Sequence, residues 1–105
     1  MSISLAEALR ILKDHEPELR RRGVSHAAVF GSVARGDACA SSDVDILIDL
    51  DPTKPIGLFE YVAIKLYIAE LFGADSLDGP VDVVSRTNLK SRLRGNILQD
   101  AIHAF

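Results

Sequence analysis

Three aspartates stand where the chain otherwise reads as buried β-strand: Asp43 and Asp45 in "SSDVDILIDL", and Asp82 in "VDVVS". An unpaired carboxylate is costly in such a place. Residues i and i+2 of a strand project from one face, roughly 7 Å apart at the backbone. Asp43 and Asp45 can therefore converge on one cation. Two anions this close are relieved by a proton or by a dication, and hard oxygen donors suit Mg²⁺ or Mn²⁺. If the strand carrying Asp82 pairs beside the first, all three carboxylates point to one place and can hold two metal ions. Such a pair activates a hydroxyl for in-line attack on phosphorus and stabilises the leaving oxygen, which is phosphoryl or nucleotidyl transfer.

Upstream, Gly31-Ser32 fits the same chemistry. Glycine lets the backbone approach a phosphate chain, and Ser32 adds a hydroxyl at the start of a turn whose N–H groups favour anions. Ser32 can also cap that turn, and the two roles are compatible. Arg35 is within reach of a phosphate or of a surface acid such as Asp37. The spacing of Gly31 and Gly36 imitates an ATPase phosphate loop, but Asp37 and Ala38 follow where that loop needs Lys and Ser or Thr. That reading fails on charge.

The elements that must position these residues follow from periodicity. Ser4 and Glu7 form a capping box before Leu5, Leu9 and Leu12, so a helix starts there. It breaks or restarts near Pro17 and stops at Gly23. "HAAVF" (26–30) predicts a strand running into the turn at Gly31, and "VARG" a single helical turn. From Asp43 to Asp49 the aliphatic and acidic side chains alternate, giving a strand with two different faces. Residues 56–72 predict a helix ending at Gly73, 81–85 a strand, and Leu89, Leu93, Ile97, Ala101 and Phe105 a final amphipathic helix. The fold class is α/β (α+β), a small mixed sheet flanked by helices, in a single domain spanning 1–105.

Composition narrows the function classes. The 105 residues are 48% hydrophobic and 26% charged with a net charge of −3, which argues for a folded domain and against broad nucleic-acid binding. One cysteine, Cys39, excludes an internal disulfide and a multi-cysteine zinc site and suits a reducing, cytoplasmic compartment. The N-terminus lacks a signal-peptide core, and no apolar run is long enough to span a membrane. His15, His26 and His103 show no ligand spacing.

Gly31-Ser32, ten residues, then Asp43-Val44-Asp45 resembles the G-S-x10-D-x-D signature of the DNA polymerase β-like nucleotidyltransferase superfamily. "GSVARGDACASSDVDILIDL", with Ala34-Arg35-Gly36 and Ser42, is similar to its minimal nucleotidyltransferase (MNT) branch, and "VDVVS" to that branch's third-aspartate strand. The resemblance implies a nucleotidyltransferase fold. It implies Asp43 and Asp45 as ligands of both metals, Asp82 completing the catalytic one, and Gly31 and Ser32, with Arg35, on the triphosphate of ATP. It also implies an antitoxin paired with a HEPN-domain toxin, silenced by transfer of AMP to a tyrosine, with the two proteins forming an oligomer. A non-catalytic antitoxin that blocks its toxin by contact is the alternative. With no residues to spare for an acceptor-presenting domain, the acceptor is expected to come from a partner.

Two features lie outside that signature. The 56–72 helix has only Glu60, Lys65 and Glu70 as charges, scattered around its axis, so it is either a buried core helix or one that meets a partner through Phe59, Tyr61, Tyr67 and Phe72. Arg86, Lys90, Arg92 and Arg94 form a basic cluster that reads as a solvated face or a contact for acidic groups.

Overall fold

The computed structural model describes residues 4–35, 44–73, 81–86 and 101–105, with only the backbone of Ser32 and Arg35. Ser4 caps the first helix, α1 (Leu5–Asp14), its Oγ accepting the Glu7 N–H at 3.1 Å. The predicted break falls at His15, after which α2 (Glu16–Arg21) carries Pro17 in its first turn, where a missing N–H costs nothing. Gly23, at φ +106°, turns the chain out of α2 into β1 (Val24–Phe30). There follow α3 (Gly31–Arg35), β2 (Val44–Leu50), α4 (Leu58–Leu71), β3 (Val81–Ser85) and β4 (Ile102–His103).

The four strands form one mixed sheet in the order β3-β2-β1-β4. β1 is antiparallel to β2 and to β4, while β2 and β3 run parallel, connected by the segment that contains α4. One face carries the larger core. Ala27 and Val29, Val44, Ile46 and Ile48, and Val81 and Val83 meet Ala8 and Leu12 of α1, Leu19 of α2, and Ile64, Ile68 and Ala69 of α4. The opposite face buries Ala28, Phe30 and Leu47 in a second, smaller cluster with Val84 and Ala101. β1 is thus apolar on both faces, which is why it reads as a continuous run rather than an alternation.

The predicted final helix is corrected at its end: Ile102–His103 is a strand, and residues 87–100 lie outside the described residues. Ala101 and Phe105 are four apart, a spacing shared by one helix face and one strand parity, so the pattern could not discriminate. Pairing decides it. Val29↔Ile102 and Ala28↔His103 continue the sheet, and the Ala104 N–H reaches the Ala27 carbonyl at 2.8 Å, satisfying the outer edge of β1. Among the described residues no helix is long and apolar enough to cross a membrane.

Ile46 is fully buried at the middle of β2, between α4 and the flanking strands. Ile46→Ala is expected to lower stability by about 2–5 kcal/mol, read as a shift of the urea midpoint with an unchanged slope.

Candidate functional site

The parity of β2 is set by its core. With Val44, Ile46 and Ile48 committed to the helix-covered face, Asp45, Leu47 and Asp49 must project from the other. The same argument applies to β3, where Val81 and Val83 point inward and Asp82 outward. The parallel register then pairs Asp45 with Asp82 directly. Neighbours in register share a face, with backbones about 4.8 Å apart. Two carboxylates from separate segments are therefore side by side, Asp82 exposed and Asp45 half-buried.

β1 completes the row on the other side. Phe30 is the antiparallel partner of Asp45, and the chain turns into α3 at the next residue, Gly31. Gly31 holds φ +74°, a left-handed conformation that strains any residue with a Cβ. A Cβ there would also overlap the Asp45 carboxylate, whose Cγ would lie only 3.1 Å away. The glycine is required twice: by the turn and by the carboxylate packed against it. The Gly-Ser turn and the aspartate strand are thus brought into contact, as their spacing predicts.

Of the candidate residues, Gly31, Asp45 and Asp82 are brought together. Asp43 lies outside the described residues, as do the Ser32 and Arg35 side chains. The donor set fits a hard dication, since Asp45 and Asp82 offer carboxylate oxygens from adjacent strands in the chemistry that Mg²⁺ takes. Among the described residues no group of three or more potential ligands is placed to hold a metal ion. Asp43, two residues from Asp45, is the third carboxylate the sequence supplies.

Asp49 and Arg86, one register step beyond Ile48↔Ser85, form an ion pair of 2.5 Å on the same face as the carboxylates. Asp49, near the end of its strand, is therefore half-buried and paired rather than solvated. The signal was present in the shared parity of Asp45 with Asp49 and of Asp82 with Arg86, but it became readable only with the parallel register. Of the predicted basic cluster, Arg86 is held in this ion pair, and Lys90, Arg92 and Arg94 lie outside the described residues. Asp51 orders the following loop. Hydrogen bonds from the Thr53 hydroxyl (2.7 Å) and N–H (2.9 Å) hold its carboxyl below the usual range.

Comparison with known proteins places this architecture. The nucleotidyltransferase domain family matches residues 6–103. A protein adenylyltransferase of Thermococcus cleftensis, MntA, is 35% identical over 102 residues, covering 96% of both chains. One solved structure, provisionally named a minimal nucleotidyltransferase, aligns with TM-score 0.71 and 36% identity over 95% of each chain. At 14% identity and TM-score 0.59, the fold is also shared with a solved complex of tri-AMPylated Shewanella oneidensis HEPN toxin and MNT antitoxin, covering 92% of this chain and 71% of that one.

Gly31→Ala is expected to cost about 1–2 kcal/mol from the left-handed backbone alone, with the displaced Asp45 carboxylate adding to it. A urea titration measures the loss. Ala at Ser32, one residue on, should not reproduce it.

Proposed function

For a chain that belongs to the nucleotidyltransferase domain family, with two strand carboxylates in register beside a Gly-Ser turn, we propose a protein adenylyltransferase. It transfers AMP from ATP to a hydroxyl, by our reading a tyrosine, of a cognate HEPN-type toxin and so neutralises it. All 105 residues act as one minimal domain, working where ATP and Mg²⁺ are plentiful, in the cytoplasm.

The observation that carries this reading is the Asp45↔Asp82 pair. Asp43 and Asp45 would hold two Mg²⁺ ions and Asp82 one of them; Mn²⁺ suits the same oxygens. When bound, such ions lower the pKa of an attacking hydroxyl and offset charge on the leaving oxygen. The chain's own residues set the positions. Gly31, Ser32 and Arg35 bind the triphosphate at the end of β1, and Gly31 leaves the Asp45 carboxylate room to face the nucleotide. Because Asp82 is exposed, the acceptor hydroxyl can approach it from solvent. A relative named as a protein adenylyltransferase supports the substrate, and a fold shared with a solved complex of an AMPylated toxin and its antitoxin supports the target.

Asp82→Asn and Asp45→Asn are each expected to lower adenylyl transfer to the toxin by about 100-fold or more, while the chain stays folded. Mass spectrometry of the co-expressed toxin reads the loss as disappearance of the adenylyl increment. If the increment disappears but the toxin stays neutralised, blocking by contact is the mechanism. If the increment persists in both variants, these carboxylates do not carry the reaction.

A further inference from the structure

The most exposed large apolar side chains among the described residues belong mainly to α4, remote from the carboxylates. Leu58 is 73% exposed, Phe59 87% and Leu66 36%. Phe59, Val62, Ala63 and Leu66 recur at i, i+3, i+4 and i+7, one stripe along the helix. Ile64, Ile68 and Ala69, on the other side, hold the helix to the sheet. Of the four aromatic residues singled out in the sequence, only Phe59 faces outward. Tyr61 and Phe72 pack against the core, and Tyr67 lies under the Arg22 guanidinium, 4.3 Å from the ring centroid.

Beside the stripe is a cleft of about 220 Å³ lined by Arg21, Arg22, Glu60, Ala63 and Ile64. Its α2 wall carries surplus positive charge. Glu16 is shared by Lys13 and Arg20, both at 2.7 Å, and Glu18 by Arg21 at 2.5 Å and Arg22 at 3.2 Å. Hydrogen bonds from Lys13, then Arg20, and from Arg21 hold the two carboxyls below their ordinary range. Both acids are ionised at neutral pH, and each still balances two cations. Lys54 adds another, its ammonium donating to the Arg20 and Arg21 carbonyls. The chain as a whole is at −3, so this rim is opposite in sign to the remainder.

We propose that the α4 stripe and the α2 rim form one docking surface for an amphipathic helix of the partner toxin. Its apolar face lies on Phe59, Ala63 and Leu66, and its acidic flank meets Arg21 and Arg22. The inference rests on the toxin reading above. A second copy of this chain fits less well, because antiparallel pairing of the stripe about a two-fold axis brings both arginine rims to the same side. Leu58 and Phe59 follow the C-terminal end of β2, whereas Asp45 and Asp82 stand near the N-terminal ends of β2 and β3. Roughly 20 Å of helix lies between them. Docking therefore leaves the carboxylates open, and the docked helix and the acceptor hydroxyl belong to different parts of the toxin.

The test titrates the full chain with the cognate HEPN-type toxin of the proposed function. Phe59→Ser/Leu66→Ser is expected to weaken binding about 30-fold or more. Arg21→Glu should weaken it with a flatter salt dependence, and a reversed acidic residue on the toxin helix should restore it. Mg²⁺–ATP binding and the melting temperature should stay as they were. Unchanged toxin affinity in the double variant overturns the proposal. So does a lighter species in sedimentation of the isolated variant, which assigns the stripe to a second copy, or a large fall in melting temperature, which assigns it to this chain's own core. If the unmodified chain does not bind the probe at all, the toxin reading itself falls.

Discussion

The parallel register of β2 against β3 is the constraint on which the rest of the structure depends. Val44, Ile46 and Ile48 on one strand and Val81 and Val83 on the other must reach the helix-covered core. Because side chains alternate, that demand turns Asp45 and Asp82 to the opposite face, and in-register pairing sets them side by side. A slip of one residue between the two strands would put the carboxylates on opposite faces, turning one of them into the core in place of that strand's two or three aliphatic side chains. The meeting of the acids is thus enforced by hydrophobic burial rather than by attraction between them, which for two anions would be repulsion. It also explains how aspartates are tolerated in apolar strands: Asp82 is exposed, and Asp45 is only half-buried.

The turn at Gly31 couples the third strand to that pair. β1 is buried on both faces, so its end cannot move without disturbing two clusters of core residues. Its last residue, Phe30, is the register partner of Asp45, and Gly31 packs against the same carboxylate. Backbone conformation and carboxylate placement are linked here. The backbone conformation that opens α3 is the one that leaves Asp45 space, so one substitution at Gly31 acts on both. Farther along the same face, the Asp49–Arg86 pair ties β2 to the end of β3 and helps maintain the register that the carboxylates need.

α4 has a divided task. Its inner face completes the core with Ile64, Ile68 and Ala69, while Leu58, Phe59 and Leu66 remain in water. A helix with apolar side chains on both faces gives up the usual solvent side, and a domain of this size has little core with which to cover it. The charges around it are organised locally, with Glu60 accepting from the Gly57 N–H to close the first turn and the α2 arginines standing across a cleft. The carboxylates project from the sheet face opposite the one that α4 covers, so the outward stripe and the carboxylate row are spatially separate.

Local pattern determined most of the elements: the Ser4 cap, the break near Pro17, the stop at Gly23, the 81–85 strand and the alternation from Val44 to Leu50 were all legible, because caps, glycine turns and side-chain parity act over a few residues. Gly31, Asp45 and Asp82 also stood out as candidates, since their types and spacing were unusual for strand and turn, and the structure brings them together. Only the tertiary structure decided which strands are neighbours and in what register. That choice made Asp45 and Asp82 adjacent, paired Asp49 with Arg86, and turned Ile102–His103 into an edge strand where a helical spacing had been read. It also decided which side of α4 faces the core. These outcomes depend on contacts between residues far apart in the chain, where a period of four fits helix and strand alike and only the competition to cover the sheet and satisfy its edge breaks the tie.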